Sequence, residues 1–203
     1  MNKLYFHLVA FDIGLYYAWK KYFDDIEEVR ISDGDILSFK ADAIVSPANS
    51  FGYMDGGLDL KYSEYFGWDL ERKLRDTLEK EYFGEIPVGQ AVVIETGNKN
   101  IKYLISAPTM RVPMNVEKTV NAYLAFKGVI QAVLAFNKSR QCQKISSILC
   151  SGLGTGEGKM SYEQCAYQMN RAYRVCIYDE FLTQGGLAEA VRDHMKLLND
   201  AKT

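Results

Sequence analysis

The stretch Ser151-Gly152-Leu153-Gly154-Thr155-Gly156-Glu157-Gly158-Lys159-Met160 constrains this chain more than any other. It follows an apolar run, Ile145 to Cys150, that reads as a buried strand, and it precedes a helical pattern starting near Ser161. A glycine-rich turn between a strand and a helix can aim several backbone N–H groups at one point. The helix N-terminus adds partial positive charge, so phosphate is the natural guest. A second loop, Pro47 to Asp59, also follows a strand. Two such loops predict a cleft for a ligand with two phosphates. A tight glycine turn that binds nothing is the competing reading.

Two well-known phosphate motifs fail on residue identity. In a Walker A pattern ending at Gly158-Lys159, Leu153 stands where the first glycine belongs and Met160 where the magnesium-binding hydroxyl belongs. In a Rossmann fingerprint the last position would be Glu157 or Lys159 instead of glycine. The loop belongs neither to a P-loop NTPase nor to a standard dinucleotide dehydrogenase.

With 203 residues the chain has material for one substantial domain. Its net charge of −2 and the lack of a basic run weigh against gripping duplex nucleic acid. No run of eighteen apolar residues is present and the N-terminus lacks a signal-peptide layout, so no membrane partner is expected. Cys142, Cys150, Cys165 and Cys176 lack CxxC spacing and read as reduced, mostly buried thiols of a cytoplasmic protein. With only His7 and His194 for histidine chemistry, neither a zinc site nor a Ser-His-Asp or Cys-His pair is expected, and no cofactor is called for. His7 alternates within a strand and reads as structural.

Apolar periodicity predicts strands over Leu4 to Phe11, Glu28 to Ser32, Ala43 to Ser46, Gly89 to Thr96, Ile101 to Ala107 and Lys144 to Cys150. Helices are expected over Gly14 to Phe23, Leu58 to Tyr82 with a break near Phe66-Gly67, Glu117 to Asn137, Ser161 to Tyr178 and Leu187 to Leu198. Gly97 to Asn100 reads as a hairpin turn. Tyr62, Tyr65, Phe66 and Trp68 are expected in the core. The alternation predicts an α/β fold: a mixed or mostly parallel sheet with helices on both faces. Ligands of such sheets sit outside the carboxyl ends of the strands. The Asn49, Thr109 and Gly154 loops all lie at such ends and converge on one crevice.

Taken in order, these motifs resemble the macro domain family of ADP-ribose-binding α/β/α modules. Gly34-Asp35-Ile36, Asp42 to Asn49 and Gly56-Gly57-Leu58-Asp59 are similar to its opening block. Gly89-Gln90-Ala91, Thr96-Gly97 and Ile101 to Ala107 are similar to its middle strands, and Gly152 to Gly156 with Tyr162 and Ala166 to its second phosphate loop and following helix. The resemblance covers residues 28–180. It implies one three-layer macro-like domain over 1–203, with 181–203 as a helical extension.

The resemblance implies roles for particular residues. Asp35 would accept a hydrogen bond from the adenine amino group, with the Ile36 backbone nearby. Asn49 would face the distal ribose. Gly56, Gly57 and Leu58 would approach the phosphates and that ribose. Gly152, Leu153, Gly154, Thr155, Gly156 and Glu157 would wrap the diphosphate. Asp59 would be the acidic group that hydrolytic members place near the scissile bond, making Asp59 and Asn49 the catalytic candidates. Each of the three polar residues also has a plainer reading: Asp35 as a turn former or helix cap, Asn49 as a left-handed turn residue, and Asp59 as an acid favoured by a helix N-terminus.

The chain departs from the family pattern at several points. Ser46-Pro47-Ala48-Asn49 replaces Asn-Ala-Ala-Asn, and Asp55 stands where glycine is common. Where one branch has a lysine after the glycine pair, Ser63 stands, with Lys61 nearby. No final strand carrying an adenine-packing aromatic follows Ala172, which leaves Tyr178 and Phe181 as candidates. The loop from Ala107 to Pro113, with Arg111, looks like a subfamily trait associated with bacteria and their phages. Three functions follow from the resemblance: a hydrolase acting on an ADP-ribosyl or O-acyl-ADP-ribose linkage, a binding module for ADP-ribose or a related NAD-derived nucleotide, and an assembly protein keeping only the fold. The expected partner is ADP-ribose or an ADP-ribosylated protein or metabolite.

Overall fold

Among the described residues five of the six strands run parallel, and the four inner ones (first, third, fifth and sixth in the chain) read as largely apolar runs because they are covered on both faces, whereas the second, at the sheet edge, does not. The computed structural model describes residues 3–140, 143–182 and 185–199. In chain order it contains β1 (Tyr5–Ala10), α1 (Ile13–Phe23), β2 (Val29–Asp33), β3 (Ala41–Ser46), α2 (Gly57–Phe66), α3 (Asp69–Tyr82), β4 (Val92–Glu95), β5 (Ile101–Ser106), α4 (Asn121–Ser139), β6 (Ser147–Cys150), α5 (Tyr162–Ile177) and α6 (Gly186–Leu198). The strand order is β2-β1-β6-β3-β5-β4, and only β4 is antiparallel to its neighbour.

Side-chain alternation along the strands divides the core into two layers. Ala43 and Val45 on β3, with Phe6 and Leu8 on β1, face α1, α4 and α5. Ile44 on β3 and Val9 on β1 face the opposite way, toward Tyr62 of α2 and Leu70, Leu74 and Leu78 of α3. The mixed α/β sandwich expected from the alternation is therefore present. Trp19 and Phe23 of the aromatic stripe on α1 are fully buried. His7 is structural: its Nε2 lies 2.6 Å from Ser32 Oγ and its ring packs edge-on to Phe39.

Helix α4 begins at Asn121, not Glu117, because local side chains take the backbone groups that a helix would use. Asn115 Oδ1 accepts from Glu117 N, the Thr119 hydroxyl donates to Val116 O, and Thr119 Oγ1 accepts from Asn121 N. Strand β6 begins at Ser147, since the Asn137 amide satisfies both backbone groups of Ile145. The expected break between α2 and α3 occurs at Gly67, whose φ of 96° suits glycine. That turn also corrects one expectation. Tyr62 is buried and Phe66 partly so, but Tyr65 and Trp68 face solvent, because the reversal swings Trp68 outward at the start of α3. Cys150 and Cys165 are buried and Cys176 half-buried, whereas Cys142 lies outside the described residues. Among the described residues no helix is long and apolar enough to cross a membrane.

Candidate functional site

Parallel strands put all their carboxyl ends on one edge, so the loops after β2, β1, β6, β3 and β5 lie side by side. The order along this edge is Gly34-Asp35, Phe11-Asp12, Gly152 to Lys159, Pro47 to Gly57, and Ala107 to Pro113. Most of the residues singled out in the sequence are thus gathered on one rim.

Asp35 caps a 3-10 turn, Ile36–Ser38, with Oδ1 accepting from Leu37 N at 3.0 Å. Ile36 turns its side chain into the core. Asn49 does not adopt a left-handed conformation. Its side chain instead ties its own loop together: Oδ1 accepts from Phe51 N and Tyr53 N, and Nδ2 donates to Tyr53 O at 2.8 Å. The same loop is anchored to the helices below. Met54 N–H donates to Glu71 Oε2 on α3, and Ser63 Oγ on α2 donates to Met54 O.

The loop from Pro108 to Pro113 continues the β3–β5 pairing beyond the strands. Thr109 N donates to Ala48 O, Ser50 N donates to Arg111 O, and Asn49 pairs with Met110 in a parallel bridge. Arg111 makes a two-point contact with Glu85 at 2.8 and 3.1 Å while lying over the Phe51 ring. This loop is a brace for the Asn49 loop.

The glycines divide by physical cause. Gly152 is crowded by side chains, since a Cβ would sit 2.6 Å from Thr155 Oγ1 and 2.8 Å from Leu15 unless these moved. Gly158 would meet Gly154 O at 2.5 Å, so the loop closes on itself there. Gly154 and Gly57 have positive φ, 76° and 56°. Gly56 and Gly156 are different. Neither has a positive φ, and an added Cβ at either would meet nothing within 4 Å. Nothing inside the protein demands glycine at these two positions. Both lie in loops at the carboxyl edge of the sheet, and Gly56 starts α2 without any side-chain cap, in contrast to α1 and α5, which are capped by Asp12 and Ser161. Leu153 is fully buried and offers the crevice only its backbone, while Thr155 is half-buried and Glu157 exposed. Leu58 is half-buried against the α2–α3 layer.

Asp59 lies in the first turn of α2 with 7 % of its surface exposed. Its Oδ1 accepts a 2.6 Å hydrogen bond from the Ser46 hydroxyl at the end of β3. Burial pushes its carboxyl up to about 7, the Ser46 bond pulls against that, and the charge of Glu71 adds to it. One turn further on, the Tyr62 hydroxyl donates to Val45 O, and burial followed by the charges of Asp59, Cys150 and Asp35 pushes that phenol well up. Burial drives the Cys165 thiol up to about 12 and the Cys150 thiol well above its ordinary range, which leaves both protonated and poor nucleophiles. Among the described residues no group of three or more His, Cys, Asp and Glu side chains could hold a metal.

Phe11 and Asp12, both at this edge, were given no site role by sequence reasoning. Phe11 is 86 % exposed just past β1, and Gly34 N–H donates to the carbonyl of Ala10, so the start of the Phe11 loop adjoins the start of the Asp35 loop. The Lys61 ammonium lies 5.0 Å from the centre of that ring. Asp12 caps α1 next to it. A strand end, an aromatic and a helix cap in succession were the available signal. By contrast, Tyr178 and Phe181 lie at the far end of α5, which runs away from the crevice. There Arg174 covers Tyr178 and pairs with Glu180. Neither can reach a ligand beside Asp35.

Comparison with known proteins agrees with this architecture. The family model described as Macro domain matches residues 45–169. An uncharacterised protein of Aquifex aeolicus is 32 % identical over 142 residues, covering 70 % of this chain and 78 % of that protein. Archaeal proteins are also matched, so the likeness is not confined to bacteria and their phages. The macrodomain of Mycobacterium tuberculosis DarG superposes with a TM-score of 0.58 at 22 % identity, covering 70 % of this chain and 88 % of that one. A macrodomain of Oceanobacillus iheyensis solved with ADP gives a TM-score of 0.57 at 21 % identity, covering 68 % and 70 %. At such identities the two structures speak for the fold.

Proposed function

Since the chain belongs to the macro domain family, we propose that it binds ADP-ribose or a related NAD-derived nucleotide at the carboxyl edge of its sheet, and hydrolyses a bond at the distal ribose. The observation that carries the binding reading is the pair Gly56 and Gly156. Both are glycine with neither backbone strain nor crowding to require it, on the two loops that flank the crevice. A diphosphate lying between them supplies the missing reason, because a side chain at either position would occupy its place. The Oceanobacillus macrodomain, solved with ADP, shares this fold.

In this reading the adenine lies at the Asp35 end. The Asp35 cap uses one carboxylate oxygen and leaves the other for the adenine amino group. Phe11 offers its exposed face as the stacking surface, in place of Tyr178 or Phe181. The diphosphate meets the N–H groups of Gly154 to Glu157 and of the uncapped start of α2. The distal ribose then falls between the Asn49 loop and Asp59. As C1″ loses its leaving group it gains oxocarbenium character. The ionised Asp59 carboxylate takes a proton from the attacking water, a new C–O bond forms at C1″ as the bond to the acceptor breaks, and that same proton passes from Asp59 to the departing acceptor or to solvent, which regenerates the carboxylate. An O-acyl linkage on the same ribose would use the same base and water.

A binding module without turnover is the second reading. The commitment of the Asn49 amide to its own loop favours it, because that side chain must be released or shared to meet a ribose. Calorimetry with ADP-ribose tests binding, and following ADP-ribose release from modified protein separates the two readings. At a hundredfold excess over Kd the ligand stabilises by about 2.7 kcal/mol, which raises Tm by about 5–10 °C. A flat thermal profile at millimolar ADP-ribose removes both readings.

The adenine end carries its own expected outcome. Phe11→Ala leaves Tm unchanged, since the ring is exposed. Loss of an aromatic stack of about 1–3 kcal/mol weakens ADP-ribose by about 5- to 150-fold. Ribose 5-phosphate, which lacks adenine, binds both proteins alike. Equal losses for the two ligands would move the adenine away from Phe11.

A further inference from the structure

Ser46 is the last residue of β3, and alternation turns it to the same face as Ile44, under α2. It is fully buried. Strand β3 is an inner strand, paired with β5 through Ser46 and with β6 at Ala43 and Ile44, which fixes the backbone that carries the Ser46 hydroxyl. The hydroxyl donates to Asp59 Oδ1 at 2.6 Å, and the described residues make no other hydrogen bond to that carboxyl. The groups facing Asp59 come from three elements: Ser46 from β3, Tyr62 from its own helix α2, and Glu71 from α3. Tyr62 gives its proton to Val45 O, and Glu71 accepts from Met54 N, so neither donates to Asp59. One hydroxyl on a fixed strand therefore decides where this carboxyl points. Its register partner on β5, Ser106, lies on the same face and is equally buried, but its hydroxyl has no partner.

We propose that Ser46 is a positioning residue: its hydroxyl holds Asp59 in one orientation, Oδ1 turned to the sheet and Oδ2 left for the reacting water. The proposal rests on the reading of Asp59 as the group that acts at the distal ribose. Ser46 also favours the ionised carboxylate that a base requires, since a donated hydrogen bond stabilises charge and Glu71 opposes it. The replacement of asparagine by serine at the head of the Ser46–Asn49 segment thus becomes a functional feature of this chain.

The test uses the full chain and the variants Ser46→Ala, Ser46→Thr and Ser106→Ala. Carbon-13 NMR follows the titration of the Asp59 carboxyl, and release of ADP-ribose from protein modified on carboxylate, serine or arginine side chains gives kcat and KM. In Ser46→Ala the Asp59 midpoint moves up from about 7, because the bond that lowers it is gone. Its kcat falls at least about tenfold with KM little changed, and the rise of activity with pH moves up with the midpoint. Ser46→Thr, which keeps the hydroxyl, restores both. Ser106→Ala changes neither, because its hydroxyl holds nothing. If Ser46→Ala does not fold, Ser46→Cys, a weak donor of similar size, shows the same upward movement. An unmoved midpoint in the Ser46 variants, or an equal movement in Ser106→Ala, overturns the proposal. A wild type that releases no ADP-ribose removes the hydrolase reading instead, and the NMR midpoint then decides the Ser46–Asp59 coupling by itself.

Discussion

Gly156→Glu abolishes ADP-ribose binding while the protein remains folded. The two halves of this expectation have separate causes. Folding survives because Gly156 is exposed, has no positive φ and has no atom within 4 Å of an added Cβ. A surface change of that kind costs about 0.5 kcal/mol or less, which moves Tm by about 2 °C at most. Binding is lost because the new side chain fills the space assigned to the diphosphate and sets a negative charge against it. Affinity should fall by about a hundredfold or more, equivalent to about 2.7 kcal/mol or more. Calorimetry and a melting curve on one sample check both halves. Full affinity in the folded variant would place the ligand elsewhere. The neighbouring Gly158 shows why the position matters: a Cβ there would strike Gly154 O at 2.5 Å, so its replacement tests the loop's fold instead of its ligand.

Asp59→Asn separates turnover from both binding and stability. Interactions made chiefly in the transition state change kcat more than affinity. Loss of a positioned base lowers the rate of ADP-ribose release by about 10²–10⁴, while the Kd for ADP-ribose stays within a small factor. Stability moves in the opposite direction. The Asp59 carboxyl is pushed from its ordinary 3.8 up to about 7, chiefly by burial. The folded protein therefore holds this proton more tightly than the unfolded chain does. Stability is lost as pH rises from about 4 to about 7, and the loss is complete above that. Asparagine is neutral and can still accept from Ser46, so the variant escapes the penalty. Its Tm should match wild type near pH 4 and exceed it by several degrees at pH 8. In the wild type, the rate of release rises with pH through about 7 as the base ionises. A variant that keeps full turnover, or a Tm difference that does not vary with pH, would deprive Asp59 of this role.

Much of the fold was legible because the hydrophobic period reports burial directly. Buried parallel strands read as apolar runs, and the turn at Gly67 reads from its glycine. Boundaries slipped where side chains satisfied the backbone, as Thr119 does before α4 and Asn137 does before β6. The sequence also ranked the aromatics poorly. Tyr62 and Trp68 are close in the chain and similar in chemistry, and only the direction of the chain after Gly67 puts one inside and the other in solvent.

The sequence by itself determined the α/β class, the family likeness, and the loops at which a phosphate ligand could be met. Each is a property of local residue order: apolar period, glycine clusters, and a strand that runs into a helix. Only the tertiary structure decided which distant residues share a site. It set β1 between β2 and β6, and so brought the Phe11 loop, from the opposite end of the chain to Tyr178 and Phe181, next to the Asp35 loop. It showed that Gly56 and Gly156 are uncrowded where Gly152 and Gly158 are packed. It joined Ser46 to Asp59 in a buried pair, where the sequence held only a departure from a pattern and an acid near a helix start. Strand order, crowding and burial are relations among residues far apart in the chain, and the charge a carboxyl carries depends on them.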